Sequence, residues 1–263
     1  MYDDDSWLFW GQPAHFQPNG SDLLRTERVS VTSEVIEKVK EMILSGELQP
    51  GTKLPRENEL AGRLGVSRSS LREAVRALAA LNVIDVRQGD GTYVTSLTPE
   101  VLLEVIGFGI DLVTDPSLLE VFEVRRFLET AATTAAASSV TEEGLAELRD
   151  CMERMAHAES VEDLVHVDEE FHRIVAEATG NSVLVALMDN LSSRTLRARL
   201  WRGVMERGAL DRTKQWHRAI LEGLEARDPE VATAADLMHL AEGEAWLRRA
   251  LGLSTNGDAQ ERA

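Results

Sequence analysis

One pair of β-prone stretches stands in a chain otherwise patterned for helices, and it limits the folds available. Val83 to Arg87 and Thr92 to Thr95 are separated by Gln88-Gly89-Asp90-Gly91, whose glycines and aspartate permit the positive φ angles of a tight hairpin. Three short helices precede them. From Ser33 to Leu44 the apolar residues Val35, Ile36, Val39, Met42 and Ile43 recur at helical spacing, and Gly46 with Pro50-Gly51 closes the segment. Leu54-Pro55 leads into a second helix, Glu57 to Leu64, stopped by Gly65, and Ser67 or Ser70 caps a third that runs to about Leu81. Helix, helix, helix, hairpin is the order of a winged helix-turn-helix.

After Pro99 the pattern is helical only. It predicts helices over 99–113, 117–138, 141–157, 160–179, 182–206, 209–226 and 229–252, with breaks at Asp115-Pro116, Gly180-Asn181 and Asp228-Pro229. Apolar and charged faces alternate, as in Leu145, Leu148, Cys151, Met152 and Met155, so an antiparallel bundle can bury them together. The expected fold is mainly α, a winged helix-turn-helix followed by an all-α antiparallel bundle. Its expected parts are a flexible arm at 1–27, a DNA-binding unit at 28–96, a helical unit at 97–252 and a flexible tail at 253–263.

Charge separates the two large parts. The whole chain carries a net −17, yet the stretch from Arg28 to Thr95 holds ten of the 28 Lys/Arg and nine of the 45 Asp/Glu. The acidity therefore lies almost wholly outside it, and any nucleic-acid surface must be local. No apolar run is long enough to span a bilayer, and the acidic start, Asp3 to Asp5, is unlike a secretory signal. The lone cysteine, Cys151, allows no intrachain disulfide, and the cytoplasm is the expected compartment.

Leu48-Gln49-Pro50-Gly51-Thr52-Lys53-Leu54-Pro55, Glu59-Leu60-Ala61, Leu64-Gly65-Val66-Ser67-Arg68, Leu71-Arg72-Glu73-Ala74 and Gly89-Asp90-Gly91-Thr92-Tyr93-Val94 follow one another in an order that strongly resembles the GntR family of bacterial regulators. Within this pattern Arg68 and Arg72 lie four residues apart on one face of the third helix, where guanidinium groups can read guanine edges in the major groove. Ser67, Ser69 and Ser70 surround the start of that helix and can hold phosphates. The resemblance implies that Gln88 and Gly89, at the wing tip, enter the minor groove. Asn58 stands where members of the family often carry arginine, and Arg56, two residues earlier, is the candidate for that backbone contact.

The stretch from about Pro99 to Leu251 resembles the FCD effector domain of the FadR-type branch of the same family. It does so through Glu123-Val124-Arg125, Glu129, Asp168-Glu169-Glu170-Phe171-His172, Gly180-Asn181, His217, Asp228-Pro229 and His239. Asp168 and His172 stand at i, i+4 on one helix. His217 and His239 each lie 11 residues from Asp228, so two antiparallel helices joined there bring both imidazoles to similar height, about 16 Å from the turn. These four residues are the expected ligands of a divalent metal, Zn²⁺ foremost, with Ni²⁺ or Mn²⁺ as alternatives. The resemblance also implies that Arg125 faces a cavity and binds an anionic ligand, with a surface ion pair as the competing role. Asn181 either donates an amide hydrogen bond to that ligand or forms a plain helix-ending turn. His15, His157 and His166 fall outside the pattern.

The expected function is a homodimeric transcriptional repressor, not an enzyme. It binds an inverted-repeat DNA operator, senses a small carboxylate such as a hydroxy, keto or sugar acid, and has no membrane partner. Two rivals remain at the level of sequence. One is a metal-free, FadR-like sensor of acyl-CoA. The other is a metallo-hydrolase fused to a DNA-binding module, with Glu169 or Glu170 as its base.

Overall fold

A computed structural model describes residues 30–111 and 118–253. The expected arm at 1–27, His15, the Asp115-Pro116 break and residues 254–263 of the expected tail lie outside the described residues. Among those described, ten helices and one two-stranded sheet are present. None of the helices is long and apolar enough to cross a membrane.

Helix α1, Val31–Leu44, starts at Ser30, whose side chain accepts from the Ser33 N–H at 3.1 Å. It buries Val35, Val39 and Met42 against Leu60 of α2, Glu57–Leu64, and Leu71, Ala74 and Leu78 of α3, Arg68–Ala80. Gly65 at φ +68 ends α2, because its carbonyls need a left-handed residue to close them. The hairpin joins β1, Ile84–Arg87, to β2, Gly91–Val94, with Ile84 opposite Val94 and Arg87 opposite Gly91. Only Gly89 of the two glycines serves the turn, at φ +76; Gly91 belongs to β2, where the Lys53 side chain crosses it so closely that a Cβ would collide.

One pairing has no signal in the sequence pattern. Leu54 N–H donates to Thr92 O at 2.8 Å and Val94 N–H to Thr52 O at 2.9 Å, so the segment before α2 runs along β2. A Pro-flanked stretch of three residues is too short for period-two reasoning to detect.

The remaining helices are α4, Pro99–Asp111; α5, Leu118–Ser139; α6, Glu142–His157; α7, Val161–Glu177; α8, Ser182–Met205; α9, Ala209–Glu225; and α10, Pro229–Ala250. Their core holds Leu145, Leu148, Cys151 and Met155 of α6 against Phe171 of α7 and Leu224 of α9. Asn82, held at φ 55, donates its side-chain amide to Val101 O and Glu104 Oε2 of α4, tying the end of the N-terminal unit to the first helix of the bundle.

The α9–α10 corner fixes how these two helices lie against each other. Asp228 accepts from the N–H groups of Glu230 and Val231, Pro229 opens α10, and Arg227 turns the chain at φ 54. A Cβ on Gly223 would lie 2.5 Å from Ala232 N, so the two helices meet backbone to backbone. Replacing Gly223 with alanine is therefore expected to cost about 2 kcal/mol or more through overpacking against backbone that cannot yield. Gly62→Ala, in open space on α2, should stabilise by about 0.5–1 kcal/mol. Urea denaturation of both variants checks this; wild-type stability for Gly223→Ala would show the corner to be looser than described.

Candidate functional site

Three helices of the bundle bring four donors to one buried point. Asp168 and His172 come from α7, His217 from α9 and His239 from α10; all are buried, and one donor atom from each lies within 4.8 Å of all the others. The corner at Asp228 does place the two imidazoles level, with ring centroids 4.6 Å apart. His172 completes the group at 5.0 Å from His217 and 5.1 Å from His239.

The chemistry of this cluster fits a cation. His217 Nδ1 lies 2.8 Å from Thr213 O, which can only accept, so Nδ1 carries the proton and Nε2 presents a lone pair. That lone pair faces Asp168 Oδ1, a second acceptor, at 3.2 Å. Two acceptors so close in a dry interior require a proton or a metal ion between them. His239 Nε2 lies 3.7 Å from the same oxygen, and His172 Nε2 is buried without a hydrogen bond. Three imidazoles and one carboxylate form a donor set suited to Zn²⁺ or a similar divalent ion.

Burial governs the protonation states. It pushes His172 down to about 4 and holds His239 well below the ordinary histidine value, so both rings are neutral at neutral pH. Without an ion, a proton fills the gap between His217 Nε2 and Asp168 Oδ1: burial opposes the charged ring, but the hydrogen bond and charge of Asp168 outweigh it and raise the pKa. Burial works against ionised Asp168, yet His217, Arg199 and His172 together keep it well below the usual carboxylate range.

A second layer orients the first. Arg199 of α8 donates to Asp168 Oδ2 at 2.6 Å, which turns Oδ1 toward the histidines. His172 Nδ1 faces Glu129 Oε2 at 3.4 Å and Asp236 Oδ1 at 4.0 Å, both buried oxygens without a hydrogen-bond partner. Arg125 Nε donates to Glu129 Oε1 at 2.6 Å and Arg125 Nη1 to Thr195 Oγ1, while Thr133 donates to Asp236 at 2.9 Å. Burial and then the neighbouring Glu129 push Asp236 up to about 7. Sequence reasoning assigned no role to Arg199, Glu129 or Asp236. The four-residue spacing of Arg125, Glu129 and Thr133 was the available sign of a polar stripe inside α5; for Arg199 no spacing rule points to the site.

Beside the cluster lies a cavity of about 50 Å³ whose lining includes Asp168, His239, Arg125, Arg199, Arg202 and Thr213. Arg125 thus lines it, and its Nη2 makes no hydrogen bond to another described residue. Asn181 is not brought to this cavity: it is the exposed N-cap of α8, and its side-chain oxygen accepts from Leu184 N–H at 3.1 Å. His157 and His166 lie on exposed positions away from the cluster.

In the N-terminal unit Arg68 and Arg72 are exposed on α3. Arg72 donates to Glu57 Oε2 at 3.0 Å, a pair with both side chains about half exposed and hence weak. Ser67 caps the helix through Ser70 N–H, and the Ser69 and Ser70 hydroxyls each lie 2.9 Å from its own. Gln88 and Gly89 are exposed at the wing tip, and Arg56 is exposed at the start of α2. A clamp unnoticed in the sequence stiffens the wing: Asp90 accepts from Lys53 at 3.0 Å and from Tyr93 OH at 2.8 Å, and the Arg87 guanidinium stacks 4.3 Å from the Tyr93 ring.

Comparison with known proteins finds two family profiles along the chain. Residues 31–94 match the family profile described as bacterial regulatory proteins, gntR family, and residues 120–242 match the FCD domain profile. The chain is 31% identical over 209 residues to the HTH-type transcriptional regulator LutR of Bacillus subtilis (strain 168), covering 77% of this chain and 94% of that protein. It is 30% identical over 221 residues to the HTH-type transcriptional repressor NanR of Salmonella newport (strain SL254), covering 81% and 84%. Among solved structures, Streptococcus agalactiae GntR aligns with a TM-score of 0.58 at 28% identity, over 81% of this chain and 99% of that one.

The buried Arg125–Glu129 pair can be tested without any ligand. Glu129→Ala leaves a guanidinium in the core with no countercharge and is expected to cost about 3–5 kcal/mol. Glu129→Gln, the same size and still able to accept from Arg125 Nε, should cost clearly less. Chemical denaturation of both variants decides it, and equal stabilities would mean that the pair is not buried as described.

Proposed function

The chain belongs to the GntR family of bacterial transcription regulators and carries an FCD domain; from that premise we propose a homodimeric repressor whose operator affinity is set by a metal-bound carboxylate effector. It is a regulator and not an enzyme, which disposes of the hydrolase reading.

The observation that carries the metal half is the meeting of the Asp168 oxygen and the three imidazoles, with two acceptors facing at 3.2 Å. Asp168, His172, His217 and His239 would hold the ion, Zn²⁺ foremost and Ni²⁺ or Mn²⁺ as alternatives. The ion supplies a Lewis acid for the oxygens of an effector. Around it, Arg199 fixes the Asp168 carboxylate, Thr213 fixes the His217 tautomer, and Arg125 offers Nη2 to the effector's negative charge. Asn181 has no part in this reading, since its oxygen is engaged by Leu184. A cavity of about 50 Å³, roughly four water-sized positions, suits a small acid and not an acyl-CoA chain.

In the reading unit, Arg68 and Arg72 are assigned to guanine edges, Ser67, Ser69, Ser70 and Arg56 to phosphates, and Gln88 with Gly89 to the minor groove. An inverted-repeat operator in the cytoplasm requires a two-fold protein. Effector binding then favours one placement of the two reading units over another, transmitted through α4 and its Asn82 tie.

Arg68→Ala and Arg72→Ala should each lower affinity for the operator by about 1–3 kcal/mol per lost bidentate contact, with melting temperature unchanged. Operator affinity equal to wild type in both would remove the assignment of α3. His217→Ala and His239→Ala should lower bound metal, read by elemental analysis, and abolish the stabilisation that added Zn²⁺ confers. Full metal content in both variants would overturn the site.

A further inference from the structure

An acidic residue stands at the point of the wing. Asp90 lies in the turn between β1 and β2, and the turn residues Gln88, Gly89 and Asp90 include no cation. Arg87, at the end of β1, donates to Asp85 at 2.8 Å and lies over the Tyr93 ring, which commits it to the body of the hairpin. A carboxylate at the tip repels the phosphates that a wing entering a groove of DNA must pass.

The cation that answers it comes from a distant part of the chain. Lys53 belongs to the segment along the other edge of β2, where it pairs with Tyr93 between the bonds from Leu54 N–H to Thr92 O and from Val94 N–H to Thr52 O. From there its stem crosses Gly91, and its ammonium ends 3.0 Å from Asp90 Oδ1 and 5.4 Å from the centroid of the Tyr93 ring. A Cβ on residue 91 would lie 2.4 Å from Lys53 Cε, so glycine keeps this path open. Both members of the pair are about half exposed, which makes it weak and open to exchange. The second Asp90 oxygen accepts from Tyr93 OH at 2.8 Å, so the carboxylate keeps a donor when Lys53 leaves it.

Resting on the proposed DNA-reading function, we propose that Lys53 is the phosphate contact of the wing. Asp90 holds its ammonium at the tip in the free protein, and a backbone phosphate takes the place of that carboxylate when the wing docks. Such a contact strengthens binding without regard to base sequence. A clamp that merely stiffened the wing would behave differently, because loss of either partner would then weaken docking alike.

The probe is a duplex enriched by the full-length protein from a random-sequence pool, with a scrambled duplex of equal length beside it, and affinity is read by fluorescence anisotropy across a range of salt. Lys53→Ala is expected to weaken both duplexes about tenfold and to lower the slope of log affinity against log salt by about 1. Lys53→Arg should keep the wild-type slope. Asp90→Asn, whose side chain can still accept from Tyr93, should tighten both duplexes severalfold, and by less when Lys53 is already alanine. Weakening by Asp90→Asn would overturn the proposal in favour of a stiffening clamp, and an unchanged slope in Lys53→Ala would overturn the phosphate contact. An equal gain from Asp90→Asn in both backgrounds would overturn Asp90 as the resting partner. Arg68→Ala separates these results from failure of the wider reading. If it loses preference for the enriched duplex while Lys53→Ala binds as wild type, Lys53 alone is struck, whereas a pool that yields no enriched duplex strikes the DNA-reading function itself.

Discussion

A carboxylate buried among three imidazoles is the constraint around which the bundle is arranged. Asp168 is almost wholly removed from water, and an unpaired charge there would cost several kcal/mol. The fold answers with Arg199 from α8 on one oxygen and the histidines of α7, α9 and α10 around the other. Each compensation comes from a different helix, so the polar centre is also a statement of how α7, α8, α9 and α10 must pack. Arg125, Glu129, Thr133 and Asp236 extend the same logic to α5. What remains unsatisfied is a set of lone pairs and buried oxygens, the state in which a cation or an anion-bearing ligand gains most from entering.

This arrangement makes the bundle suited to sensing. A core that closes fully on itself gains little from a ligand, whereas here binding would relieve facing acceptors and thereby tighten contacts between four helices at once. Differential stabilisation of that kind is what a two-state regulator needs. The connection outward is narrow: α4 packs on α8 through Gly107, where any Cβ would collide with Asn190, and Asn82 reaches α4 from the reading unit. A shift of α8, which carries Arg199 to the Asp168 and histidine cluster, therefore bears directly on the helix next after the wing.

Local signals in the sequence reached as far as local physics does. Ser67, Gly65, Asp228 and Pro229 act on their own neighbours, so the caps and breaks they imply coincide with the helix ends to within a residue or two. The levels of His217 and His239 followed from equal distance to one corner, since rise per residue is constant. Contacts set by packing left no such trace. Arg125 meets Thr195 across 70 residues and Thr133 meets Asp236 across 103, and no periodicity encodes either. Asn181 shows the reverse hazard: a residue prominent in a family pattern has a sufficient local task as an N-cap.

The charge distribution shapes how the reading unit can work. Its cations are largely engaged at rest, Arg72 with Glu57, Lys53 with Asp90 and Arg87 with Asp85, while the body of the protein repels DNA. Exposed pairs of this kind are worth at most about 1 kcal/mol, so a phosphate or a guanine edge displaces them at little cost. Nonspecific attraction, which depends on many loosely placed cations, is correspondingly weak. With α3 as the proposed reading helix, an acidic body with a few shielded arginines favours sites that match it in detail over DNA in general. It also leaves the balance small enough for the proposed effector to shift.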